Sequence, residues 1–163
     1  KMIAQYEEDG RDKLLLAPRQ YGITQQHKHL PEMKQVCGLA KVPTFNPIVG
    51  PYYKGMAVST ALFQSSFTKN ASAKDIQEIL AAHYANTRFV KVLPFEEEPT
   101  LDAGSLNPTE CNGTNEAHVY VFGKDSSIQV SVIIDNLGKG ASGAAIQNMN
   151  ILLGLDETMG LVV

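Results

Sequence analysis

The chain has 163 residues, of which 44% are hydrophobic and 19% charged, and its formal net charge is -3 at pH 7. This length predicts one domain with its own core, and the composition excludes a disordered chain. The 14 lysines and arginines are scattered singly, so the sequence offers no basic surface for nucleic acid.

The sequence also lacks the features of a membrane or secreted protein. No apolar run approaches the roughly 20 residues that span a bilayer, and acidic residues stand near the start, where a secretory signal needs an apolar core. Two cysteines, Cys37 and Cys111, cannot build a disulfide scaffold. We therefore expect a soluble cytoplasmic protein with no membrane partner. Because the first residue is Lys1, we also expect that the chain was cut from a longer one.

An extended segment, broken by Pro18 and Gly22, is predicted for residues 13–29, with the clearest alternation from Tyr21 onward. Side chains two positions apart in an extended chain face the same side, so His27 and His29 should do so. A short helix should follow at residues 31–37, with a proline at its first position. The two histidines are then expected at a strand-to-helix junction.

Two strands are predicted within residues 44–67, because β-rich runs there flank a turn rich in proline and glycine. A helix is predicted for residues 72–87, with Ser72 and Asp75 as a capping box. The apolar residues of the second strand and of the helix define one face each. These faces comprise Met56, Val58, Thr60 and Leu62 in the strand, and Ile76, Ile79, Leu80 and His83 in the helix.

The second half of the chain predicts a short strand at 89–95, a long polar loop at 96–115 and an antiparallel hairpin of residues 117–123 and 127–135. Long loops in compact domains often lie at a binding surface or an interface. The last helix should end at Gly154 and carry an apolar stripe of Ala145, Met149, Leu152 and Leu153. Mixed strands and helices without repeats predict an α+β fold with a largely antiparallel sheet flanked by helices.

Residues 138–143 satisfy the pattern G-x-G-x-x-G between a predicted strand and a predicted helix. A dinucleotide-binding fold would need another strand after that helix and an acidic residue about 20 positions on, and only nine residues follow Gly154. We therefore reject that fold. Two alternatives stay open: backbone N–H groups beside Lys139 bind a phosphate or carboxylate, or the glycines allow close packing.

The residue types alone do not decide the chemistry of His27 and His29. Two imidazoles could be metal ligands, but a catalytic zinc site needs a third ligand. They could transfer protons, since imidazole titrates near neutrality, or they could be ordinary surface histidines. The remaining histidines, His83 and His118, are expected to be structural, and Cys37 is expected to be a small buried residue.

Three segments, residues 26–33, 45–56 and 132–161, resemble in order and spacing the second domain of N-acetyl-gamma-glutamyl-phosphate reductase, an enzyme of arginine biosynthesis. The most specific is "DNLGKGASGAAIQNMN" followed by "GLDET", and the resemblance runs from about Tyr21 to the end. It implies a C-terminal α+β domain like that of glyceraldehyde-phosphate dehydrogenase-type enzymes. Residues 1–163 would be the catalytic, substrate-binding and dimerisation half of a two-domain homo-oligomeric enzyme.

In this family, the resemblance implies, a cysteine thiolate attacks the acyl phosphate of N-acetylglutamyl 5-phosphate, and NADPH reduces the thioester to the semialdehyde. The family pattern H-x-H-x-P-E coincides with His27, His29 and Glu32, so one histidine would do acid–base work. The other, with Glu32, would orient it or hold substrate. Further substrate contacts are implied at Lys54, Lys139 and Ser142, cofactor contacts at Asn136 and Gly140, and no bound metal.

The sequence departs from the family pattern in two respects. Neither Cys37 nor Cys111 stands in the family's Gly-Cys motif, so the nucleophile and the nucleotide-binding half, which would hold most of the NADP, are expected to be missing and the isolated chain inactive. Lys54 stands where many members carry arginine, which grips an oxyanion with two donors. The alternative hypothesis is a non-catalytic module that binds a small anion or a metal and shares only the fold.

Overall fold

A computed structural model describes residues 2–95, 104–124 and 127–163. The chain divides into two compact units, Lys1–Tyr53 and Lys54–Val163, and each is described by itself. The expectation that residues 1–163 form one domain stays a prediction.

The first unit has little regular structure besides its helices. It contains α1 (Met2–Glu7), β1 (Arg19–Gln20), α2 (His29–Val36) and β2 (Ile48–Val49), and β1 pairs antiparallel with β2. The predicted extended segment at 13–29 was therefore wrong beyond the two residues of β1.

A turn replaces the predicted extended segment because two residues adopt left-handed backbone conformations. Gly22 has φ of 62° and Gln25 has φ of 55°. The Gln25 side chain stabilises this turn through two bonds to Phe45: its Oε1 accepts from the backbone N–H at 2.9 Å, and its Nε2 donates to the carbonyl at 2.7 Å. A pattern of alternating neighbours cannot predict this pairing, because Gln25 and Phe45 are 20 positions apart.

Helix α2 begins at His29, two residues before the predicted start. Pro31 is consequently the third helical residue, where its missing N–H costs nothing because the first-turn donors have no partner within the helix. The helix ends as expected at Gly38, whose φ of 62° allows Leu39 N–H to donate to the Lys34 carbonyl at 2.9 Å.

The second unit is built on a four-stranded sheet that confirms the predicted α+β class. Its spatial order is β3-β6-β5-β4, and only the pairing of β4 with β5 is parallel. The predicted hairpin is the antiparallel pair of β5 and β6. The elements of this unit are β3 (Met56–Phe63), α3 (Ala73–Tyr84), β4 (Val90–Val92), β5 (Ala117–Lys124), β6 (Ser127–Ile134) and α4 (Gly143–Leu152).

Helix α3 packs on one face of this sheet. Its predicted capping box is confirmed, with Ser72 accepting from Asp75 N–H and the Asp75 carboxylate accepting from Ser72 N–H. Ala73 forms a buried cluster with Val121 and Ile128, against which Ile76 and Leu80 pack. The predicted apolar face was partly wrong, because Ile79 and His83 are exposed: they lie beside the stripe of Ala73, Ile76 and Leu80 that meets the sheet.

The opposite face of the sheet is partly covered by the end of the long loop. Buried Cys111 packs there against Tyr120 and Ile133. Residues 96–103 of the predicted loop lie outside the described residues, and so does the tip of the hairpin at 125–126. The rest of the loop forms turns that reach the core, so this part is a covering segment.

Helix α4 has the predicted spacing and ends before Gly154, whose φ is 68°. Its predicted apolar stripe is nevertheless exposed: Leu152 is 85% exposed and Met149 51%. Residues 153–163 contain turns and no strand. Within the described ranges, no helix has the length and apolar character needed to cross a membrane.

Candidate functional site

His27 and His29 lie together at the start of α2, as the sequence predicted. Their ring centroids are 4.9 Å apart with an interplanar angle of 43°. The reason differs from the one expected, because His29 is the first residue of the helix and His27 belongs to the preceding turn. A turn followed by the first helical residue thus produces the same proximity as two alternating positions of a strand.

Glu32 orients the His29 ring. His29 Nδ1 is 2.9 Å from Glu32 Oε2, across three positions of the helix. An ionised carboxylate can only accept, so in this pair His29 Nδ1 carries the hydrogen and Nε2 of the neutral ring is an acceptor. This tautomer leaves Nε2 able to take a proton, as in hydrolases where a carboxylate orients a catalytic histidine.

His27 is held in the opposite tautomer. Its Nδ1 accepts the backbone N–H of His29 at 3.3 Å, so the hydrogen of the neutral ring is on Nε2. The ring packs between Tyr21 and Phe45, with centroid distances of 5.9 Å and 5.0 Å. Two adjacent imidazoles therefore present different chemistry, one a proton acceptor and the other a donor.

A groove of about 740 Å³ lies beside α2 within the first unit. His27 lines it, whereas His29 and Glu32 are outside the lining among the residues that the structure describes. The lining combines apolar side chains with two lysines, which suits a ligand with an aliphatic chain and a negative charge. These residues include Leu30, Leu39, Val42, Lys28 and Lys34.

Among the described residues, no group of three or more His, Cys, Asp or Glu side chains has the geometry to hold a metal ion.

In the second unit, Lys54 is bound to a buried carboxylate. Its Nζ lies 2.7 Å from Asp135 Oδ2, and Asp135 is 1% exposed. Asp135 Oδ2 also accepts Gly113 N–H at 2.8 Å, while Oδ1 accepts Leu137 N–H and Gly138 N–H at 2.9 Å and 3.0 Å. This carboxylate thus bonds to Lys54, to the loop before β5 and to the start of the glycine loop, residues 137–143.

Burial alone would raise the pKa of Asp135. The hydrogen bond from Lys54 and those from the backbone N–H groups of Gly113, Leu137 and Gly138 outweigh burial and hold the pKa far below its ordinary value. Asp135 is thus ionised at neutral pH, and Lys54 has a fixed counter-charge within the protein.

The glycine loop forms a π-helical turn, Gly138–Ser142, that continues directly into α4. The N–H groups of Leu137, just before this turn, and of Gly138, its first residue, donate to the Asp135 carboxylate, and Gly143 N–H donates to the Gly138 carbonyl. A methyl group on Gly143 would overlap Asn115 Oδ1. These contacts favour the close-packing alternative that the sequence left open.

The other residues implied in substrate binding also have partners inside the protein. Lys139 Nζ donates to Gln147 Oε1 at 2.6 Å and lies 5.2 Å from the centroid of the Phe89 ring. Burial lowers its pKa, against the attraction of Glu157. Ser142 Oγ donates to the Leu137 carbonyl at 2.9 Å. Substrate contacts of Lys54, Lys139 and Ser142 stay predictions.

Asn136 and Gly140, implied in cofactor binding, have structural contacts as well. Asn136 Oδ1 accepts Gly55 N–H at 2.7 Å, and Gly140 N–H donates to the Asp135 carbonyl at 2.9 Å. A side chain on Gly140 would meet Ile134 Cδ1 at 3.1 Å. The role of these two residues toward NADP stays a prediction.

Sequence reasoning missed a second polar cluster, on β5. His118 Nδ1 is 2.6 Å from Glu110 Oε1, and its Nε2 is 2.8 Å from Glu116 Oε2. Glu116 also pairs with Lys91, and Tyr120 Oη donates to Glu110. Both ring nitrogens have partners. The structural role expected for His118 stays a prediction. The period-two pattern of β5 predicted only that the side chains of His118 and Tyr120 lie on the same face of the strand.

The two cysteines differ in their exposure. Both are free, with Cys111 buried and Cys37 exposed at the carbonyl end of α2. The prediction that Cys37 is buried was wrong. Burial raises the pKa of Cys111.

Comparison with known proteins relates the chain to one family. Residues 11–136 match the family described as semialdehyde dehydrogenase, dimerisation domain. The chain is 44% identical over 144 residues to N-acetyl-gamma-glutamyl-phosphate reductase 2 of Nostoc sp., covering 86% of this chain and 45% of that protein. It is 40% identical over 156 residues to N-acetyl-gamma-glutamyl-phosphate reductase of Sinorhizobium medicae, covering 94% of this chain and 50% of that protein.

The chain thus spans about half the length of the curated relatives it matches. The family match covers both β2 and the four-stranded sheet, including β3, and it confirms the resemblance stated from the motifs. The chain belongs to the semialdehyde dehydrogenase dimerisation-domain family.

Proposed function

We propose that this chain is the catalytic and dimerisation half of a cytoplasmic NADPH-dependent reductase of arginine biosynthesis. The reaction converts N-acetylglutamyl 5-phosphate to N-acetylglutamate 5-semialdehyde and releases phosphate. Identity of 40–44% to reductases with this name supports the assignment. The observation that carries it is the oriented His29–Glu32 pair beside a second histidine of opposite tautomer.

His29 is the acid–base group in this proposal. Glu32 accepts its Nδ1–H, so Nε2 can take the proton of an attacking thiol. The same nitrogen can donate that proton back when the product leaves the thiol. Glu32 is a positioning residue because it acts through His29. The sequence left the roles of the two histidines open.

His27 contributes a hydrogen bond in this proposal. Its Nε2–H is available to the oxygen of the acyl group, where negative charge develops when a thiolate adds to the carbonyl. The rings of Tyr21 and Phe45 keep the imidazole in place, and fixed donors need little reorganisation during the reaction. His27 also lines the groove, where Lys28 and Lys34 can attract an anionic substrate.

The thiolate and the nucleotide-binding residues are proposed to come from outside these 163 residues. Cys111 is buried with a raised pKa, and Cys37 follows the carbonyl end of α2, so neither is suited to form the thioester. The cofactor supplies the hydride that reduces the thioester. The chain by itself is therefore expected to reduce no substrate.

Two copies of the chain are proposed to associate as a homodimer. The family match to a dimerisation domain supports this, since residues 11–136 include most of both units. Closed two-fold symmetry is the commonest arrangement of soluble homo-oligomers.

A chimaera tests the proposed activity. This chain replaces the matching half of the Sinorhizobium medicae relative, and the assay follows NADP reduction by N-acetylglutamate 5-semialdehyde in the presence of phosphate. We expect phosphate-dependent turnover in the chimaera and none with the chain alone. A folded, NADP-binding chimaera without turnover, or turnover by the chain alone, would refute the proposal.

A further inference from the structure

Gln25 adopts a backbone conformation that residues with a side chain rarely take. Its φ of 55° lies in the left-handed region, where a Cβ atom crowds the backbone and glycine is the usual residue. Among the residues that the structure describes, Gln25 is the one non-glycine residue with a positive φ. Such a conformation persists only where the surrounding contacts hold it, and residues of this kind cluster at functional sites.

The Gln25 side chain makes the contacts that hold this conformation. Its Oε1 accepts Phe45 N–H at 2.9 Å, and its Nε2 donates to the Phe45 carbonyl at 2.7 Å. A side-chain amide has the same kinds of donor and acceptor as a peptide group, so it can pair with both backbone groups of one residue. The pairing extends the ladder of β1 and β2, after which Tyr21 N–H donates to the Pro47 carbonyl at 3.0 Å. Phe45 is thereby fixed to the turn that precedes α2.

The turn and Phe45 together enclose the His27 ring. The Phe45 ring meets it edge to face, with centroids 5.0 Å apart and an interplanar angle of 61°. A side chain on Gly22 would meet His27 Cδ2 at 3.7 Å, so the backbone of the turn lies close to the imidazole. Gln25 N–H donates to the Gly22 carbonyl at 3.0 Å. Gln25 is therefore bonded to both parts of this enclosure, through its backbone to Gly22 and through its side chain to Phe45.

We infer that Gln25 is a positioning residue that holds the His27 imidazole in the orientation in which Nε2–H faces the substrate. This inference rests on the proposed function of His27 and states what fixes its donor. The hydrogen bond from His29 N–H to His27 Nδ1 is long, at 3.3 Å, and restrains the ring weakly. Packing against Phe45 supplies the further restraint, and Gln25 acts through Phe45. A donor that is fixed before the reaction needs little reorganisation when charge develops on the acyl oxygen.

Two matched substitutions separate positioning from stability. Gln25→Met keeps the approximate length of the side chain and removes both bonds to Phe45. Gln20→Met is the control, because Gln20 Nε2 donates to Asn46 Oδ1 at 3.1 Å and so joins the same two segments of the chain. Both side chains make exposed contacts, so each variant should stay folded by circular dichroism and lose a similar, small amount of stability in urea unfolding.

Proton NMR of the 163-residue chain gives a readout that loss of stability alone would not change. Nuclear Overhauser contacts between the His27 and Phe45 rings should be present in the wild type and in Gln20→Met. In Gln25→Met these contacts should weaken at least about twofold, because Phe45 is no longer fixed to the turn. A folded Gln25→Met chain with wild-type contacts between the two rings would overturn the inference.

The reductase chimaera supplies the functional readout. Because His27 donates to an oxygen whose charge develops in the transition state, Gln25→Met should lower kcat about three- to thirtyfold and change KM less than about twofold. The rise of kcat/KM with pH should remain, because the His29–Glu32 pair is unchanged. Gln20→Met should keep both constants within about twofold of the wild type. Equal losses of kcat in the two variants would show a general effect on stability and refute positioning.

A double variant tests whether Gln25 acts through Phe45. Phe45→Leu removes the aromatic ring and keeps the backbone groups that bond to Gln25. Adding Gln25→Met to Phe45→Leu should then lower kcat by no more than about a further twofold, because the ring that Gln25 positions is already absent. Losses that multiply in the double variant would contradict this route. The ring contacts are measured in the chain without any activity, so an inactive wild-type chimaera would refute the proposed function while the NMR result still decides the positioning role.

Discussion

Replacing Asp135 with Asn should destabilise the second unit more than any other single removal of a charge described above. The carboxylate accepts four hydrogen bonds, two at each oxygen. Asparagine keeps one oxygen, which can still accept Leu137 N–H and Gly138 N–H. Its NH2 group, however, would face two other donors, the backbone N–H of Gly113 and the ammonium of Lys54, which would both lose their acceptor.

The magnitude follows from breaking a buried ion pair while one charged partner remains. Such a change costs about 3–5 kcal/mol of unfolding free energy. For a chain of this size each kcal/mol lowers the melting temperature by roughly 2–4 °C, so Asp135→Asn should lower it by roughly 6–20 °C. Lys54→Met should cost less, because Asp135 keeps its three backbone N–H donors.

The assay is urea unfolding followed by circular dichroism, at pH 7 and at lower pH. Since the folded-state pKa of Asp135 is depressed below the ordinary 3.8, its contribution is complete above that pH and is lost as pH falls below it. The difference between wild type and Asp135→Asn should therefore shrink below about pH 4. Glu78→Gln is the control, because its contact with Lys74 is exposed and weak. A loss below about 1 kcal/mol at pH 7 would refute the reasoning.

Three further predictions concern buried groups. Cys37 should react with a thiol reagent in the folded chain and Cys111 only after unfolding, as measured by Ellman titration with and without denaturant; rapid reaction of both thiols in the folded chain would contradict the burial of Cys111. Gly143→Ala should cost about 1–3 kcal/mol through its clash with Asn115, and Asn115→Ala in the same chain should recover part of the loss in urea unfolding. Purely additive losses would contradict that contact. Glu116→Gln should cost about 1–3 kcal/mol at pH 7. Burial raises the Glu116 pKa, but its bonds with Lys91 and His118 lower it overall, so this cost should shrink as pH falls below the ordinary 4.5; a pH-independent cost would contradict it.

Local sequence signals predicted the elements that depend on nearby residues. The capping box of Ser72 and Asp75, the hairpin of β5 and β6, and the ends of α2 and α4 at Gly38 and Gly154 were all predictable, because each depends on residues within a few positions. Motifs also predicted that His27 and His29 lie together.

Features that depend on distant contacts could not be predicted from local patterns. The turn at 21–28 depends on Gln25 bonding to Phe45, 20 residues away. Asp135 bonds to Lys54, 81 positions away, and the residues around either one do not predict this contact. Exposure of Ile79 depends on which side of α3 meets the sheet, and periodicity alone does not determine that orientation.

The tautomers of the two histidines could likewise be inferred only from the structure. Spacing alone shows two imidazoles and a carboxylate, and it allows either ring to pair with Glu32. The backbone N–H of His29 bonds to His27 Nδ1 because the chain turns into a helix at this point. In the proposed function, the ring bonded to Glu32 is therefore the proton acceptor and the other ring is the donor.

The most direct test of the central claim is the pH dependence of kcat/KM for the His29→Asn variant of the reductase chimaera, compared with wild type and His27→Asn. The account predicts that His29→Asn lowers turnover by roughly two to four powers of ten and abolishes the rise of kcat/KM with pH, as loss of an essential base does. His27→Asn should lower the rate but keep that rise. Near-normal turnover of His29→Asn, or an unchanged pH profile, would contradict the assignment of the His29–Glu32 pair to catalysis.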